Sequence, residues 1–371
     1  MAIVEGSTLT LAQTVELLEA HTLRVDAGLD LLDADDNFIM DLTDDLIVDG
    51  SSVSLGVYRT IHRTAQLKIS RELQWGSQRL RPYLLLSSDD TTWYRWPLGV
   101  FLPSVPECQV GESPQVWDVA CMDKLDVLNT PYGSSYSLAV SSNVIDAVEA
   151  LITAAGETSF AFEPSTAVTP ALRAYSIVDD WTTLTIINDL LESIGFRALW
   201  VDANGTYRSG PYVAPESLPS MWTYSTDSET TTVAEERVSI RDYYNAANVV
   251  VGIRDTPEDD IPITGDGIYT ATNQSDGLTS IDARGGRTIR KVIRGDFIDH
   301  AALVVAVDAA LDSEKRVANY VTMATSPNPL HGHFDAITLT DSAIPVNGRF
   351  LVTDWELPLD GSDMSLSLRA V

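Results

Sequence analysis

Between about residues 51 and 129 the chain is patterned for short strands. Residues 81–86 and 92–102 are rich in aromatic and branched side chains, and a polar turn at 87–90 separates them. A third run, 117–121, follows a turn that contains Gly and Pro. Several short strands at such close spacing are typical of a small barrel or sandwich, so we expect a first β domain here.

The spacing of apolar residues then becomes helical. Asn143 is placed to cap a helix that ends at Gly156, and Asp180 is placed to cap a second helix that ends at Gly195. One face of each helix is apolar, which means that each must pack against another element. These faces carry Val144, Ile145, Val148, Leu151 and Ile152 in the first helix, and Leu184, Ile187, Leu191 and Ile194 in the second.

A β-hairpin follows the second helix directly. Residues 196–202 and 206–209 are patterned as strands, and Asn204-Gly205 lies between them. Asn-Gly between two strands favours a type I′ turn, because both central residues of that turn need positive φ.

The last third of the chain returns to strands around one long helix. We predict a strand at 248–253, a glycine-bearing loop, a strand at 288–293 and a helix over about 299–320. The tail carries three further strands, at 334–340, 349–355 and 364–369.

These elements predict an α+β chain in which two β-barrel-like domains flank a helical and hairpin domain. We place an N-terminal segment with one short helix at 1–50 and the first β-barrel domain at 51–130. The helical pair with its hairpin occupies 131–232, and the second β-barrel domain, with its inserted helix 299–320, occupies 233–371. The strand blocks at 98–120 and 348–368 echo each other, although chance similarity between β-rich segments explains the echo equally well.

Composition excludes several classes of protein. The 371 residues carry 24 Lys and Arg against 53 Asp and Glu, a formal charge of −29, which argues against a basic nucleic-acid surface. With 44% hydrophobic residues the chain has enough apolar material to fold. The start of the chain lacks the pattern of a secretion signal, and its most apolar run, 301–311, is too short for a membrane span. The two cysteines, Cys108 and Cys121, form one disulfide or none.

The sequence predicts no catalytic, cofactor-binding or metal-binding residue. Phosphate loops, nucleophile elbows and metalloprotease helices are absent. His331-Gly-His333 has two rings that could chelate a cation, but we favour a loop before a strand, since only Asp335 follows at a useful spacing. Acidic groups are too common for any one to be informative. They include the run 33–45, which we interpret as a solvated loop face with an ion site as the alternative, and the pairs at 89–90, 179–180 and 259–260.

Other short strings have equally plain interpretations. Arg294-Gly-Asp296 matches an adhesion tripeptide but also suits a strand end before a helix cap. Asn204 and Asn273 begin glycosylation motifs, without a secretion signal to support them. The eight tryptophans allow a carbohydrate-binding hypothesis, but Trp93 and Trp96 fall on opposite faces of a strand and cannot form one flat platform.

The order of elements resembles the hub proteins at the tail tip of long-tailed bacteriophages, and in particular the minor tail proteins of siphophages. Three stretches carry the resemblance. They are the helix-to-hairpin run 184–211, the strand block 94–103 with 117–125, and the terminal block 349–369.

This resemblance implies a homotrimer whose two barrels per subunit form a ring of six similar domains. Such a ring joins the six-fold tail tube to a three-fold tip and lines the DNA channel, where an acidic wall would let the genome pass without specific binding. The implied partners are the distal tail or tail tube protein on one side and other tail-tip or fibre proteins on the other. Hubs of many siphophages carry a long C-terminal extension, so we expect a separate polypeptide to supply the tip here.

The leading hypothesis is therefore a structural virion protein without catalysis or cofactor, assembled in the cytoplasm of the bacterial host and located at the tail tip. The alternatives are a distal tail ring protein, normally six-fold, and a carbohydrate-binding or carbohydrate-hydrolysing tail protein.

Overall fold

The computed structural model describes residues 2–108, 115–225, 236–239, 245–254, 265–315, 320–340 and 348–371. Within these ranges the fold is mixed α+β and mostly sheet. The helices are α1 (Leu11–Leu18), α2 (Leu125–Leu128), α3 (Val144–Ala154), α4 (Thr183–Ser193) and α5 (His300–Lys315). The strands are β1 (Ala2–Glu5), β2 (Arg24–Leu32), β3 (Phe38–Asp41), β4 (Leu46–Gly56), β5 (Arg63–Ile69), β6 (Arg79–Ser87), β7 (Thr92–Pro97), β8 (Phe101–Cys108), β9 (Trp117–Asp123), β10 (Tyr136–Leu138), β11 (Phe160–Phe162), β12 (Arg173–Tyr175), β13 (Trp200–Val201), β14 (Tyr207–Ser209), β15 (Ser220–Ser225), β16 (Glu236–Ser239), β17 (Val249–Arg254), β18 (Ile268–Thr272), β19 (Arg290–Gly295), β20 (Tyr320–Thr325), β21 (Ala336–Thr340), β22 (Gly348–Pro358) and β23 (Met364–Ala370).

Strands from both ends of the chain join in one large sheet. Its order is β1-β7-β6-β8-β9-β5-β4-β22-β23-β20-β16, with β2 and β3 attached at β6, and β21 and β15 attached at β22. The two halves meet where β4 pairs antiparallel with β22, and there Leu55 lies opposite Trp355 and Val53 opposite Leu357. All four of these side chains are buried in one hydrophobic core that contains residues of both halves. The two ends of the chain are thus held together by a shared core as well as by strand pairing.

A helical unit is inserted between the two halves in sequence. Helices α3 and α4 pack against each other over a second core, and the short sheets β10-β12 and β11-β14-β13 complete the unit. The Asn143 side chain caps α3 by accepting hydrogen bonds from the N–H groups of Ile145 and Asp146 at 2.8 and 3.2 Å. Helix α4 begins with a capping box between Thr182 and Thr185.

A third, smaller unit consists of α5 on a three-stranded sheet in the order β18-β17-β19. Gly252 of β17 allows the helix to approach, because a Cβ at this position would lie 2.2 Å from a methyl carbon of Val307 and 2.7 Å from one of Leu303. The unit contacts the helical unit at the end of α4, where the Ile298 N–H donates to the Ser193 carbonyl at 3.0 Å.

Many predicted elements are confirmed. The helix in the first 50 residues, both helices with apolar faces and the hairpin strands are present, and so are strands in each of the three strand-rich stretches. Residues 1–50 also contain β1, β2, β3 and the first part of β4, which the sequence analysis did not predict. The α+β class is confirmed, whereas the closed barrels and the domain boundaries at 50, 130 and 232 stay predictions.

Four local predictions were wrong. Among the residues at the hairpin tip only Gly205 has positive φ, and the Asp202 carboxylate accepts from the Asn204 and Thr206 N–H groups at 2.9 and 3.0 Å, so the turn is not type I′. The residue that caps α4 is Thr182, while Asp180 takes a left-handed conformation before it. The predicted strand 92–102 is two strands, with a break at Gly99. The helix predicted over 299–320 is described as far as Lys315, and Tyr320 already belongs to a strand.

Candidate functional site

One face of the large sheet is polar across both of its halves. In the neighbouring strands β9, β5, β4, β22 and β23, alternate residues point away from the core, and their register aligns Met122, Thr64, Ser54, Glu356 and Ser365 in one cross-strand row. We call this surface the polar face. It consists of Ser52, Ser54, Thr64, Gln66, Ala120, Met122, Asp354, Glu356, Ser365 and Ser367.

The polar face is concave and its side chains are mostly small. It encloses a cavity of about 750 Å³ that is open to solvent. Hydroxyl groups predominate, and several bond to each other or to carboxylates: Ser54 to Thr64 at 2.8 Å, and Ser52 to Glu356 at 3.1 Å. The first of these bonds links β4 to β5 and the second links β4 to β22. The side chains of the polar face are therefore fixed by the same strand pair, β4 and β22, that joins the two halves of the sheet.

The charged groups of the polar face are mainly acidic. Glu356 is exposed, and Asp354 forms an ion pair with Arg59, Oδ1 to Nη2, at 3.3 Å. Arg59 lines the cavity and also lies within 3.5 Å of the Ser54 hydroxyl. The charge of Arg59 is therefore partly neutralised by Asp354. The described residues of the polar face include no row of unpaired Lys or Arg side chains that could bind a polyanion.

Beneath the polar face lies a buried arginine. Arg63 stacks over the Trp355 ring at 5.5 Å and donates from Nη1 to the Leu98 carbonyl at 2.6 Å. Its backbone N–H donates to the Asp123 carboxylate at 2.8 Å. Burial raises the pKa of Asp123 to about 6, since desolvation outweighs the hydrogen bonds that favour the charged form.

Two histidines, the buried His62 and the half-buried His333, lie next to this arginine, where the large sheet and the hairpin of the helical unit meet. The His333 ring stacks on His62 at 4.5 Å and on Trp200 at 5.2 Å between centroids. His331 lies nearby, with its Nε2 2.6 Å from the Tyr224 hydroxyl. Desolvation lowers the pKa of His62 and of His331 to about 4 and that of His333 well below 6.5. The three rings are therefore neutral at pH 7.

A ring of four charged groups forms a second connection between the sheet and the helical unit. Arg79 and Lys124 each contact both Asp36 and Glu157, at 2.6 to 2.7 Å. The Lys124 side chain is 1% exposed and that of Glu157 is 3% exposed. Loss of one member of such a buried network costs about 3–5 kcal/mol, because its partners stay buried without compensation. Glu157 follows α3, so the network fixes the helical unit to the sheet.

The structure places His331 and His333, for which cation chelation was the alternative to a loop before a strand, in different contacts. His331 lies against Tyr224, and His333 lies between His62 and Trp200. No local sequence pattern links His62 with His333, because the two residues are far apart in the chain and meet only in the folded structure. In the described ranges no three or more His, Cys, Asp or Glu side chains form a group that could hold a metal ion.

The other residues singled out in the sequence are also located. Cys108 lies opposite Trp117 and Cys121 opposite Pro103, so the two cysteines occupy different ends of the β8–β9 ladder and no disulfide joins them. The acidic run 33–45 forms the β2–β3 turn, β3 and the segment after it. Asp89 organises a turn by accepting from the backbone of Thr91 and Thr92, which lowers its pKa to about 2.

The remaining acidic pairs and motifs do not come together. Asp180 precedes α4, and the pair at 259–260 lies outside the described residues. Arg294 lies on β19, whereas Asp299, not Asp296, accepts a hydrogen bond from the first turn of α5. The side chain of Asn273 is buried and donates to Asp276 and Thr279, and Asn204 lies in the hairpin turn.

Several tryptophans take part in packing. Trp75 and Trp117 pack together at 5.2 Å between ring centroids, Trp355 lies in the core, and Trp96 is buried. None of the helices in the described part of the chain has the length and apolar character that a membrane crossing requires.

A local sequence pattern indicates the polar face, whereas none indicates the contacts of His62, His331 and His333. The strings Ser52-Val-Ser-Leu55 and Ser365-Leu-Ser-Leu368 alternate small hydroxyl and apolar residues, as a half-buried strand should. That these strings lie two strands apart in one sheet depends on the long-range pairing of β4 with β22.

Comparison by sequence finds no protein-family model and no curated protein that matches the chain. Comparison by structure finds similar folds among tail proteins, two of them from prophages. The tail protein from Neisseria meningitidis MC58 is 13% identical with a TM-score of 0.62, and the alignment covers 93% of this chain and 96% of that one.

Two further tail proteins are similar over nearly their whole length. The 43 kDa tail protein of prophage MuSo2 from Shewanella oneidensis is 10% identical with a TM-score of 0.61, over 93% of this chain and 98% of that one. The prophage tail protein gp18 from Listeria monocytogenes EGD-e is 11% identical with a TM-score of 0.53, over 92% and 94%. The chain thus has the fold of these tail proteins, which confirms the resemblance at the level of fold.

Proposed function

We propose that this protein is a structural component of a phage tail tip, a hub of which three copies form a ring. The observation that carries the proposal is the junction of β4 with β22, which unites two antiparallel ladders, β8–β9 and β22–β23, in one sheet with one polar face. Three copies would present six such ladders. A ring of this kind could contact a six-fold tube on one side and a three-fold tip on the other.

The polar face is suited to line the DNA channel of that ring. Its hydroxyl-bearing side chains are short, Ser52, Ser54 and Thr64 form hydrogen bonds within the face, and its carboxylates repel phosphate. The chain carries a net charge of −29, which adds to this repulsion over longer distances. DNA would pass such a wall without specific binding.

The proposal includes partners and location. The ring would bind the distal tail or tail tube protein above and other tail-tip or fibre proteins below, in a virion assembled in the cytoplasm of the bacterial host. It would act without catalysis, as a structural component of the ring.

The test is the number of copies and their arrangement. Light scattering on the purified protein should give the mass of three subunits, and negative-stain images should show a ring with an open centre. A hexameric ring would instead favour the distal tail protein. A single subunit at all concentrations, together with its absence from isolated tail tips, would refute the hub.

A further inference from the structure

In the described ranges α5 covers one face of the small sheet β18-β17-β19, and the other face, which we call the open face, is exposed on β18 and β19 and buried at Val249 of β17. Helix α5 covers the face that carries Val250, Gly252 and Ala271. Side chains alternate along a strand, so the opposite face carries the residues between these. They are Ile268, Thr270 and Thr272 on β18, Val249, Val251 and Ile253 on β17, and Arg290, Val292 and Arg294 on β19.

This open face combines apolar side chains with unpaired cations. Val292 is 55% exposed and Ile268 is 39% exposed. Arg290 and Arg294 are exposed on either side of Val292, and neither has an ion-pair partner among the described residues. Lys291, by contrast, points to the covered face and pairs with Glu314 of α5 at 2.8 Å.

The two arginines of this face belong to a basic stretch of an acidic chain. Five of the 24 Lys and Arg residues fall between positions 284 and 294, in a protein with 53 acidic residues, and two of the five, Arg290 and Arg294, lie on the open face. We call the surface formed by Arg290, Val292, Arg294 and Ile268 the basic sheet face. A partner that is both acidic and apolar would be complementary to it, since either property alone would leave half of the surface unmatched.

The same chain carries a surface with the opposite properties. The segment 33–45 contains six aspartates and no Lys or Arg, and within it β3 exposes Phe38 to 58% and Ile39 to 46%. Among the described strands β3 pairs with β2 alone, so its other edge is open to a further partner. We call Asp35, Phe38, Ile39, Asp41 and Asp44 the acidic edge.

The two surfaces are attached to different parts of the molecule. The acidic edge adjoins Asp36, which is tied to Arg79 and Lys124 and so reaches Glu157 at the end of α3. The basic sheet face belongs to the unit that contacts the end of α4 and Arg173, through the Ser193 and Asp296 carbonyls. One copy therefore offers both surfaces to neighbours.

We infer that the acidic edge of one copy docks on the basic sheet face of a second copy of this chain. This inference rests on the proposed function, because a contact between two different surfaces propagates head to tail and closes when the rotation per copy completes a ring. Phe38 and Ile39 would cover Val292 and Ile268, while the aspartates would pair with Arg290 and Arg294. Removal of these arginines from water is offset by such pairs only when both partners are present.

Charge reversal tests the contact. Arg290→Glu/Arg294→Glu should raise the concentration at which trimers dissociate at least tenfold, measured by light scattering across a dilution series. Phe38→Asp, on the other surface, should do the same. Arg24→Glu is the control, since Arg24 is an exposed arginine that pairs with Asp90 and lies at the end of β2 remote from the residues that pair with β3. Circular dichroism melts establish that each variant is folded.

A compensating variant separates the contact from a general charge effect. In the chain that carries Arg290→Glu/Arg294→Glu, the added changes Asp35→Arg/Asp44→Arg should restore trimers at the original concentration. A Phe38→Cys/Val292→Cys protein should also form intermolecular disulfides on oxidation, whereas neither single cysteine variant should give the same ladder of linked subunits.

The outcomes are distinct for the contact and for the hub. Trimers that resist Arg290→Glu/Arg294→Glu and give no cross-link would overturn the contact and leave the hub in place. Binding of double-stranded DNA by the wild-type protein that those same changes abolish, with trimers unchanged, would also overturn it and assign the face to phosphate. A wild-type protein that is monomeric, shows no cross-link and is missing from tail tips would reject the hub and the contact together.

Discussion

At the scale of single residues, the ionisable groups that matter most are buried at the seams between units. The ring of Arg79, Asp36, Lys124 and Glu157 satisfies its charges internally, whereas the histidines beside Arg63 stay neutral. A neutral buried histidine leaves the fold sensitive to acid, because the unfolded chain binds a proton that the folded chain excludes. The seam between sheet and hairpin should therefore be the acid-sensitive part of the molecule.

The direction of this pH dependence follows from the shifted groups. The pKa of His62 and of His331 is about 4 in the fold against 6.5 when unfolded, so their contribution to stability is complete above pH 6.5 and is lost as the pH falls toward 4. Each should lower the free energy of unfolding by about 2 kcal/mol at pH 5. Asp123 acts in the opposite direction below about pH 6, because burial raises its pKa and the folded state binds its proton first. Burial also raises the pKa of Asp335, which therefore acts in the same direction as Asp123.

We predict that urea unfolding gives a lower free energy at pH 5 than at pH 7.5, with the decline beginning above pH 6, before Asp123 protonates. His62→Phe keeps an aromatic ring against His333 and should reduce the decline by about 2 kcal/mol. His21→Gln, at an exposed position, should leave it unchanged. An identical decline in the His62 variant and the wild type would show that the acid sensitivity comes from elsewhere.

At the scale of elements, the sequence predicts those helices and caps that depend on interactions between residues close together in the chain. The apolar stripes of α3 and α4 and the Asn143 cap were predictable because each depends on residues within one or two turns. The cap of α4 was misassigned because Asp180 and Thr182 are both good caps, and only the side chain of Thr185 completes a box with Thr182. The hairpin turn was misassigned because Asp202, outside the Asn-Gly pair, fixes the loop through its carboxylate.

The attachment of α5 gives a prediction at the same scale. Gly252→Ala places a methyl group where the Val307 and Leu303 side chains now lie, so the helix must shift from its sheet. We expect a loss of about 1–3 kcal/mol in the free energy of unfolding, as for overpacking elsewhere, and faster hydrogen exchange in α5 and β17.

Two further variants serve as the control and as the compensating change for Gly252→Ala. Gly76→Ala should cost little, since nothing lies within 4 Å of a Cβ there. Val307→Ala in the Gly252→Ala chain makes room for the new methyl group and should recover part of the lost exchange protection. If Gly252→Ala behaves like Gly76→Ala, the close approach of α5 to β17 is not what holds this unit together.

At the scale of the whole molecule, the decisive features are long-range and could not be predicted from the sequence. The pairing of β4 with β22 and the meeting of His62 with His333 join residues from opposite ends of the chain, and no local period encodes such partners. The serines of the polar face are recognisable in the sequence, because they alternate with apolar residues at 52–55 and at 365–368. They form one surface only when β4 pairs with β22 in the folded sheet. The sequence therefore predicts which residues lie on the outer face of each strand, but it does not predict that these strands assemble into one polar face.

The polar face also provides the most direct test of a DNA channel. If phosphate passes along it, the absence of free cations there is a functional requirement, and added cations should retain DNA. Ser54→Lys/Ser367→Lys places two lysines on the face of each subunit, six in a trimer. We predict salt-dependent retention of double-stranded DNA by this variant and none by the wild type, measured by filter binding between low and physiological salt.

The control adds the same charge elsewhere. Thr153→Lys/Ser217→Lys changes two exposed positions on the helical unit and on the segment before β15, and its net charge equals that of the first variant. In tails assembled with the Ser54→Lys/Ser367→Lys protein, genome release should slow, because each phosphate that pauses at a lysine must exchange its contact before the duplex advances. Equal DNA retention by both lysine variants would mean that charge alone, and not its position on the polar face, governs the interaction, and the assignment of this face to the channel wall would then be wrong.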